Sequence, residues 1–586
     1  MHKTPSPYLN ILHECNINWA PYSEQSLKEA SMQKRMIFIH IGSINNIDER
    51  EKVLKLFSNK GVSALLNRYF VPIAIDIEDF PEIGQIGFDL LSITEHFITL
   101  PVNIFMLPDT VPVACFPNTT AKNFIELAHN AVKAYIKKKN TLERAGAHLK
   151  RLLEKTGRIP EKMPPFKIRD KLLHAYVRNW IKRAEEIEKG IGEAVRSIHP
   201  RYYIFLLKYA YTYDKTDILE QIRERLDRLY YSAMFDTVEG GFFTQYSEND
   251  YNKPLFEKQF SENIQAAILY SMAYKCYGNK HYKEAADRTI EHIENRYASA
   301  GGGYQASVSL NVSPEKSTYY KVSVADLKKK FAKGYCKVAG ILGLDTAVPE
   351  ECPQIVKNSA AAAGMTPRTR EKLLEIRKER EAELLVDERV MVVGNALYAC
   401  ILPIFAKSCG HKMAGYVKKA EDIVEYITTQ LIDKDLKMHR YLYSSYGYGD
   451  STLLDYALIL TASILLYTVT GKEKYNTLAT GYTSYILQNY LCHENGMFLK
   501  HNKNEKQLIP CSREPIIDYI KYSANSIMAG NLLLLYKING NEYYLKLFMQ
   551  QIYNVSPQLT GAGPYLAGWA LQILNYLVYE NGKQKS

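Results

Sequence analysis

No Cys-x-x-Cys pair occurs anywhere in these 586 residues, and the nine cysteines present are scattered from Cys15 to Cys511. An odd, sparse set of thiols excludes a disulfide-stapled scaffold and fits a reducing compartment, so a cytoplasmic location is expected. His-x-x-x-His spacing is missing as well and the fourteen histidines are dispersed, so no metal site is expected. The chain has neither a Gly-x-x-x-x-Gly-Lys-Ser/Thr loop nor a Gly-x-Gly-x-x-Gly turn behind a strand, which leaves no cofactor predicted. No apolar stretch follows Met1-His2-Lys3-Thr4-Pro5-Ser6-Pro7, and no signal peptide is expected. The most membrane-like run, Leu453 to Thr470, contains Asp455 among several Thr, Ser and Tyr residues and reads as a buried helix of a soluble fold.

What is present is ordinary globular composition: 46% hydrophobic and 23% charged residues, with 74 Lys and Arg against 63 Asp and Glu. At about 150 residues per domain, that length predicts two to four domains. The basic excess is mild. Its densest pieces, Lys137-Lys138-Lys139 and Lys328-Lys329-Lys330, lie on or beside apparent helices and read as solvated faces, so no nucleic-acid partner is expected.

The first 145 residues alternate apolar strands with helices. Buried-strand runs at Met36 to Ile41 and Val71 to Ile77 are each followed by a helical pattern. Val102 to Leu107 and Val113 to Phe116 then flank the turn Pro108-Asp109-Thr110, and a helix follows from Ala121. Strand–helix alternation closed by a hairpin is the order of the thioredoxin fold, an α/β class.

Beyond a Pro-containing linker placed at 146–168, the sequence turns helical and repeats. Helices end at Gly278, Gly410, Gly471 and Gly540, with Asp214 in the same role, and the next helix starts at once. From Gly410 to Gly471 is 61 residues and from Gly471 to Gly540 is 69, so one junction recurs at the length of a helical hairpin. The interval from Gly278 to Gly410 is long enough for one repeat plus an insertion, placed at about 310–386. Five junctions join ten helices, and two more, near Asp170 to Lys189 and Tyr565 to Tyr579, complete a twelve-helix (α/α)6 barrel over 169–580. Between the junctions lie Glu239-Gly240-Gly241-Phe242, Gly301-Gly302-Gly303-Tyr304, Asn495-Gly496-Met497-Phe498 and Gly561-Ala562-Gly563-Pro564-Tyr565, which alternate with them and therefore fall on the opposite rim. Glycines allow close backbone approach and aromatics stack on sugars, so this rim is where a pocket is expected; turns that merely cap the barrel are the plain alternative.

A resemblance then becomes specific. Ser6-Pro7-Tyr8-Leu9, Asn18-Trp19-Ala20-Pro21-Tyr22 and Ile37-Phe38-Ile39-His40-Ile41-Gly42, with Gly190-Ile191-Gly192, Phe256-Glu257-Lys258, Leu454-Asp455-Tyr456-Ala457 and Ser523-Ala524-Asn525-Ser526 further on, resemble the spermatogenesis-associated protein 20 family. The resemblance implies a thioredoxin-like domain of the DUF255 type followed by a six-hairpin, glycosidase-like domain. In register with that family, its two redox cysteines are replaced by Asn46 and Glu49, while Pro101 matches the thioredoxin-type cis-proline. Neither an amide nor a carboxylate can do dithiol exchange, so oxidoreductase activity is predicted absent. Departures continue in the barrel: Leu255 and Phe243 replace histidines, Ser307 to Leu310 replaces an acidic run, and Gly394 replaces a tryptophan.

Glycoside hydrolysis needs two carboxylates and epimerisation a proton-transfer pair. Glu257 and Asp455 remain as the candidate catalytic pair, with helix-end roles as the structural alternative. His199, Phe242, Asn263, Asn395, Tyr456 and Asn525 are the candidate binding residues, with helix capping as the plain reading of the asparagines. The leading expectation is a redox-inactive protein that binds a carbohydrate or a protein, catalysis lost or altered. The alternatives are an active sugar hydrolase or isomerase using Glu257 and Asp455, and an interaction scaffold holding a peptide in the groove around Asn46 and Pro101. Oligomeric state is not read from the sequence.

Overall fold

A computed structural model describes residues 4–45, 47–156, 159, 162–188, 195–247, 250–311, 315–359, 364–509, 514–517 and 522–583. Its contacts divide the chain into two compact units, Met1–Pro160 with Leu499–Glu514, and Glu161–Phe498 with Pro515–Ser586.

The first unit runs α1 (Pro7–Leu12), α2 (Glu24–Gln33), β1 (Met36–Gly42), α3 (Ile47–Phe57), α4 (Lys60–Tyr69), β2 (Phe70–Asp76), α5 (Pro81–Ile93), β3 (Val102–Met106), β4 (Pro112–Phe116), α6 (Ala121–Lys137) and α7 (Lys139–Lys155). The sheet order is β2-β1-β3-β4, with β1 parallel to β2 and antiparallel to β3, as the thioredoxin pattern requires. All seven residues of β1 and of β2 are buried, which explains their near-continuous apolar sequence. Phe38 lies at the centre of an aromatic cluster with Phe57, Phe105 and Phe124. The Leu100–Pro101 bond is cis.

Two features of this unit differ from the sequence reading. The stretch from 146, expected as linker, is helix as far as Lys155, because α7 packs back on β4. A methyl group on Gly146 would sit 2.8 Å from Val111 Cγ1, so only glycine permits the approach. Leu499–Glu514, distant in sequence, also belongs here: Ile509 joins the core cluster, Lys500 Nζ donates to the Pro81 carbonyl at 2.8 Å, and Lys506 pairs with Glu24 at 2.6 Å.

The second unit contains α8 (Asp170–Glu188), α9 (Pro200–Thr212), α10 (Thr216–Tyr230), α11 (Phe260–Tyr277), α12 (Lys280–Arg296), α13 (Val324–Phe331), α14 (Tyr335–Ile341), α15 (Pro367–Lys378), α16 (Val392–Cys409), α17 (Met413–Gln430), α18 (Leu453–Thr470), α19 (Glu473–Asn489), α20 (Ala524–Asn539), α21 (Glu542–Ala562) and α22 (Ala567–Lys583). Helices α9, α11, α16, α18, α20 and α22 each pack on the next, and α22 packs back on α9, so the ring closes. Their hairpin partners α10, α12, α17, α19, α21 and α8 lie against them on the outside, giving an (α/α)6 barrel. The inner helices are apolar all round because they touch neighbours on every side, and α16 and α18, long and apolar enough to cross a membrane, are 83% and 67% buried inside the protein. Gly278, Gly410, Gly471 and Gly540 end inner helices in the left-handed conformation, as the junction spacing predicts. Between Leu310 and Asp387, α13, α14 and α15 form a small core around Leu327, Leu342 and Leu373.

Candidate functional site

The N-termini of the six inner helices define one end of the barrel, and the glycine–aromatic loops lie there. Each of four loops closes with a single β-bridge, Phe235–Phe242, Ala298–Tyr304, Ile432–Met438 and Leu491–Phe498. Asn263 Oδ1 accepts the Phe242 N–H at 2.7 Å while its Nδ2 donates to the Phe242 and Gln259 carbonyls. Asn395 does the same to Tyr304, with Met391 as its third partner. Asn525 repeats it on Phe498, with Pro515 third. At the fourth corner the Tyr456 hydroxyl takes over, accepting the Met438 N–H at 3.0 Å and donating to the Leu436 carbonyl at 2.9 Å. All four side chains are buried, and what the sequence suggests as helix caps or ligand contacts are fasteners that lash each loop to the next inner helix. Phe242 is likewise turned inward, its ring stacked 4.8 Å from Tyr270.

Glu257, immediately before α11, is fully buried and accepts from Gln259 Nε2. Loss of hydration pushes its carboxyl up to about 8, so it holds its proton at neutral pH. Asp455 is also buried but charge-compensated: Oδ2 accepts from the Thr452 N–H and hydroxyl, both at 2.8 Å, and from Arg440 Nη1 at 3.1 Å. It is the third residue of a capping box that starts α18. Glu257 precedes α11 and Asp455 stands in the first turn of α18, and these helices are second neighbours in the ring, their axes ~14–17 Å apart at normal packing distances. His199 is the left-handed N-cap of α9, its ring edge-on to Tyr565 at 6.2 Å.

Half-exposed polar and planar side chains gather near the starts of α9 and α11. The Arg201 guanidinium stacks 3.1 Å from the Tyr522 ring centroid and donates to Gln265 at 3.1 Å, which in turn donates to Glu262 at 3.2 Å. The family departures have packing reasons. A side chain at Gly394 would meet Phe260 at 2.8 Å, and Phe243 fills its site against Tyr320 and Phe256.

Sequence reasoning assigned no role to the strongest electrostatic feature. Arg377 on α15 grips Asp236 bidentately at 2.6 and 2.9 Å, and Lys258 reaches the same carboxylate at 2.7 Å; all three are buried. Glu239 lies within 3.5 Å of Arg377 and also pairs with Arg296. The neighbouring cations hold both carboxyls below their ordinary range against the opposing effect of burial. The legible signal was Lys258, inside a motif already singled out. Arg377 sits in a charged run that reads as solvent-facing.

In the first unit Asn46 lies outside the described residues. Glu49 is bound by Lys52 at 2.7 Å and by Asn118 at 3.0 Å. Cys15 and Cys115 are both buried with their thiols pushed up by desolvation. Behind the turn, His40 donates from Nδ1 to Asn103 Oδ1 at 2.8 Å and its Nε2 accepts the Tyr8 hydroxyl at 2.7 Å, the Asn103 amide being oriented by its bond to the Pro117 carbonyl. Burial pushes His40 down to about 4.

A family model described as thioredoxin DsbH-like, protein of unknown function DUF255, matches residues 1–154. Spermatogenesis-associated protein 20 of Homo sapiens is 21% identical over 350 residues, 55% of this chain and 43% of that protein. The chain is thus similar to the spermatogenesis-associated protein 20 family. The match spans about two fifths of the length of that curated relative. An uncharacterized protein of Caenorhabditis elegans is 21% identical over 617 residues, covering 92% of this chain and 80% of that one. Among solved structures, the chain is similar to a GH76 α-mannanase of Bacteroides thetaiotaomicron, at a TM-score of 0.44 and 11% identity over 70% of this chain and 97% of the other. It is also similar to cellobiose 2-epimerase of Bacillus thermoamylovorans, again at 0.44 and 11%, over 70% of this chain and all of the other.

Proposed function

We propose that this protein is a redox-inactive thioredoxin-like chain whose barrel mouth binds a carbohydrate, with hydrolase or epimerase chemistry lost. The observation that carries this reading is the state of Asp455: its carboxylate is fully buried, with Oδ2 held by Arg440 and by its own helix cap, so it is fixed in place away from solvent and cannot turn outward to activate water or to take a proton from a sugar hydroxyl without breaking both ties. Glu257, protonated at neutral pH, is a competent acid without an available basic partner among the residues singled out. Near the mouth, Arg201, Glu262 and Gln259 offer hydrogen bonds and His199, Tyr522 and Tyr565 offer planar faces, the mixture that recognises a polyhydroxylated ring. On the thioredoxin side, Glu49 engaged by Lys52 and two buried, poorly ionising cysteines support the absence of thiol exchange. Free cysteines among the described residues support a reducing, cytoplasmic setting. The peptide-scaffold reading has less support, because Ile509 of the chain itself is already part of the first unit's core and hydrogen-bonds Tyr22.

Thermal shift against a panel of mono- and oligosaccharides tests the proposal. A ligand at 100 times its Kd adds ~2.7 kcal/mol to the barrel, and Arg201→Ala is expected to abolish the shift. Sugar turnover would overturn the loss of catalysis, insulin reduction above background would overturn redox inactivity, and a panel without any shift would overturn carbohydrate binding.

A further inference from the structure

The junction Cys409-Gly410-His411 has a chemical content beyond ending a helix. Gly410 turns the chain at φ 71°, and the residues on either side of it both face Asp287 of α12. The ligand atoms of Asp287, Cys409 and His411 all lie within 4.8 Å of one another, with Cys409 buried and the other two half-exposed. His411 Nε2 donates to Asp287 Oδ1 at 2.7 Å, and its ring is held between Phe405 at 5.5 Å and Tyr416 at 5.7 Å. A thiol, an imidazole and a carboxylate make a mixed S/N/O set of three, the number that open tetrahedral zinc sites take from protein. Zinc–ligand bonds of ~2.0–2.3 Å place ligand atoms ~3.3–3.5 Å apart, so the thiol moves inward while the His411–Asp287 pair, hydrogen-bonded at 2.7 Å, opens slightly. The fourth direction is contested: Lys283 Nζ lies 3.0 Å from Asp287 Oδ2 and 3.1 Å from His411 Nε2.

We propose that Asp287, Cys409 and His411 form a labile binding site for a zinc-class divalent cation, with the Lys283 ammonium as the resident competitor that leaves when the ion enters. Binding releases the Cys409 S–H proton to solvent, moves the His411 ring proton from Nε2 to Nδ1 so that Nε2 bonds the metal, and pins α12 to the α16–α17 junction. The site uses none of the side chains assigned to carbohydrate binding at the barrel mouth, so the inference stands independently of that reading.

The test uses the full chain carrying Cys336→Ser and Cys352→Ser, which removes the two exposed thiols among the described residues, titrated with Co2+ and then displaced by Zn2+. A thiolate-to-cobalt charge-transfer band with tetrahedral visible bands is expected, lost on adding Zn2+. Cys409→Ser should abolish the charge-transfer band, and His411→Asn should weaken Co2+ binding in the same way should the buried serine compromise folding. Lys283→Met should tighten binding roughly tenfold or more by removing an adjacent positive charge. No band in the parent, a band that survives Cys409→Ser, or a band seen only with Lys283→Met would overturn the proposal.

Discussion

Behind β1 of the thioredoxin-like unit, Tyr8, His40 and Asn103 form a buried chain of uncharged hydrogen bonds, whereas the barrel holds its deepest polarity as ions, Asp236 and Glu239 against Lys258, Arg377 and Arg296. The difference decides how each unit fails. A neutral relay is damaged by a proton, because a protonated His40 can no longer accept from Tyr8. An ion cluster is damaged by losing a member, because each remaining charge is stranded where water cannot reach it.

The sharpest way to break this comparison is Arg377→Met. It leaves Asp236 with Lys258 alone and Glu239 with a weakened environment, and should destabilise the barrel by about 3–5 kcal/mol. Hydrogen exchange should speed in α11 and α12 while β1 of the first unit keeps its protection. Because the Asp236 carboxyl is held below its ordinary range, its contribution is present above pH ~4 and lost as the pH falls through the folded value. Unchanged exchange in α11 would show the cluster to be energetically idle.

Titration separates the two units further, in opposite directions. Glu257 is raised to about 8, so the stability linked to its proton is full below pH ~4.5 and is lost as pH rises toward 8. Glu257→Gln should remove that decline and stabilise the barrel by about 4 kcal/mol near pH 8. His40 is depressed to about 4, so the unfolded chain gains a proton near pH 6.5 that the folded unit refuses until pH 4, and the first unit weakens on acidification across that window by about 3 kcal/mol. Peptide-resolved exchange from pH 4 to 8 reads both at once. Parallel pH profiles in β1 and α11 would sink the contrast.

Much of this architecture was legible in the sequence where periodicity carried it. Gly278, Gly410, Gly471 and Gly540 marked the hairpins because a left-handed helix end has few alternatives to glycine, and the strands β1 to β4 stood out as apolar runs between turns. Asn263, Asn395 and Asn525 were visible as recurring near the glycine–aromatic loops, but their job was not, since a side-chain amide that clamps a loop leaves the same trace as one that caps a helix. Arg377 was invisible for a different reason. Burial of an ion depends on which partners the tertiary fold delivers, and Asp236 lies 141 residues away. The docking of Ile509 on the first unit was equally hidden, because the residues around it follow the barrel's hairpin spacing up to that point.

The smallest predicted effect concerns the four loop fasteners, and it sharpens the view that these fasteners are scaffold while the proposed ligand contacts at the mouth come from Arg201, Glu262 and their neighbours. Asn395→Ala strands the Tyr304 N–H and C=O and the Met391 C=O, all inside the protein, and should cost about 1–3 kcal/mol, with Asn263→Ala and Asn525→Ala alike because the geometry is alike. Tyr456→Phe removes one hydroxyl that makes two bonds and keeps the ring, stacked 4.9 Å from Tyr485, so about 1 kcal/mol is expected there. Thermal denaturation ranks the four. Sugar affinity measured well below the melting temperature should be the same in all of them as in the parent, since every polar atom concerned already faces backbone; a fall in affinity confined to one asparagine variant would move that residue from the scaffold into the binding site.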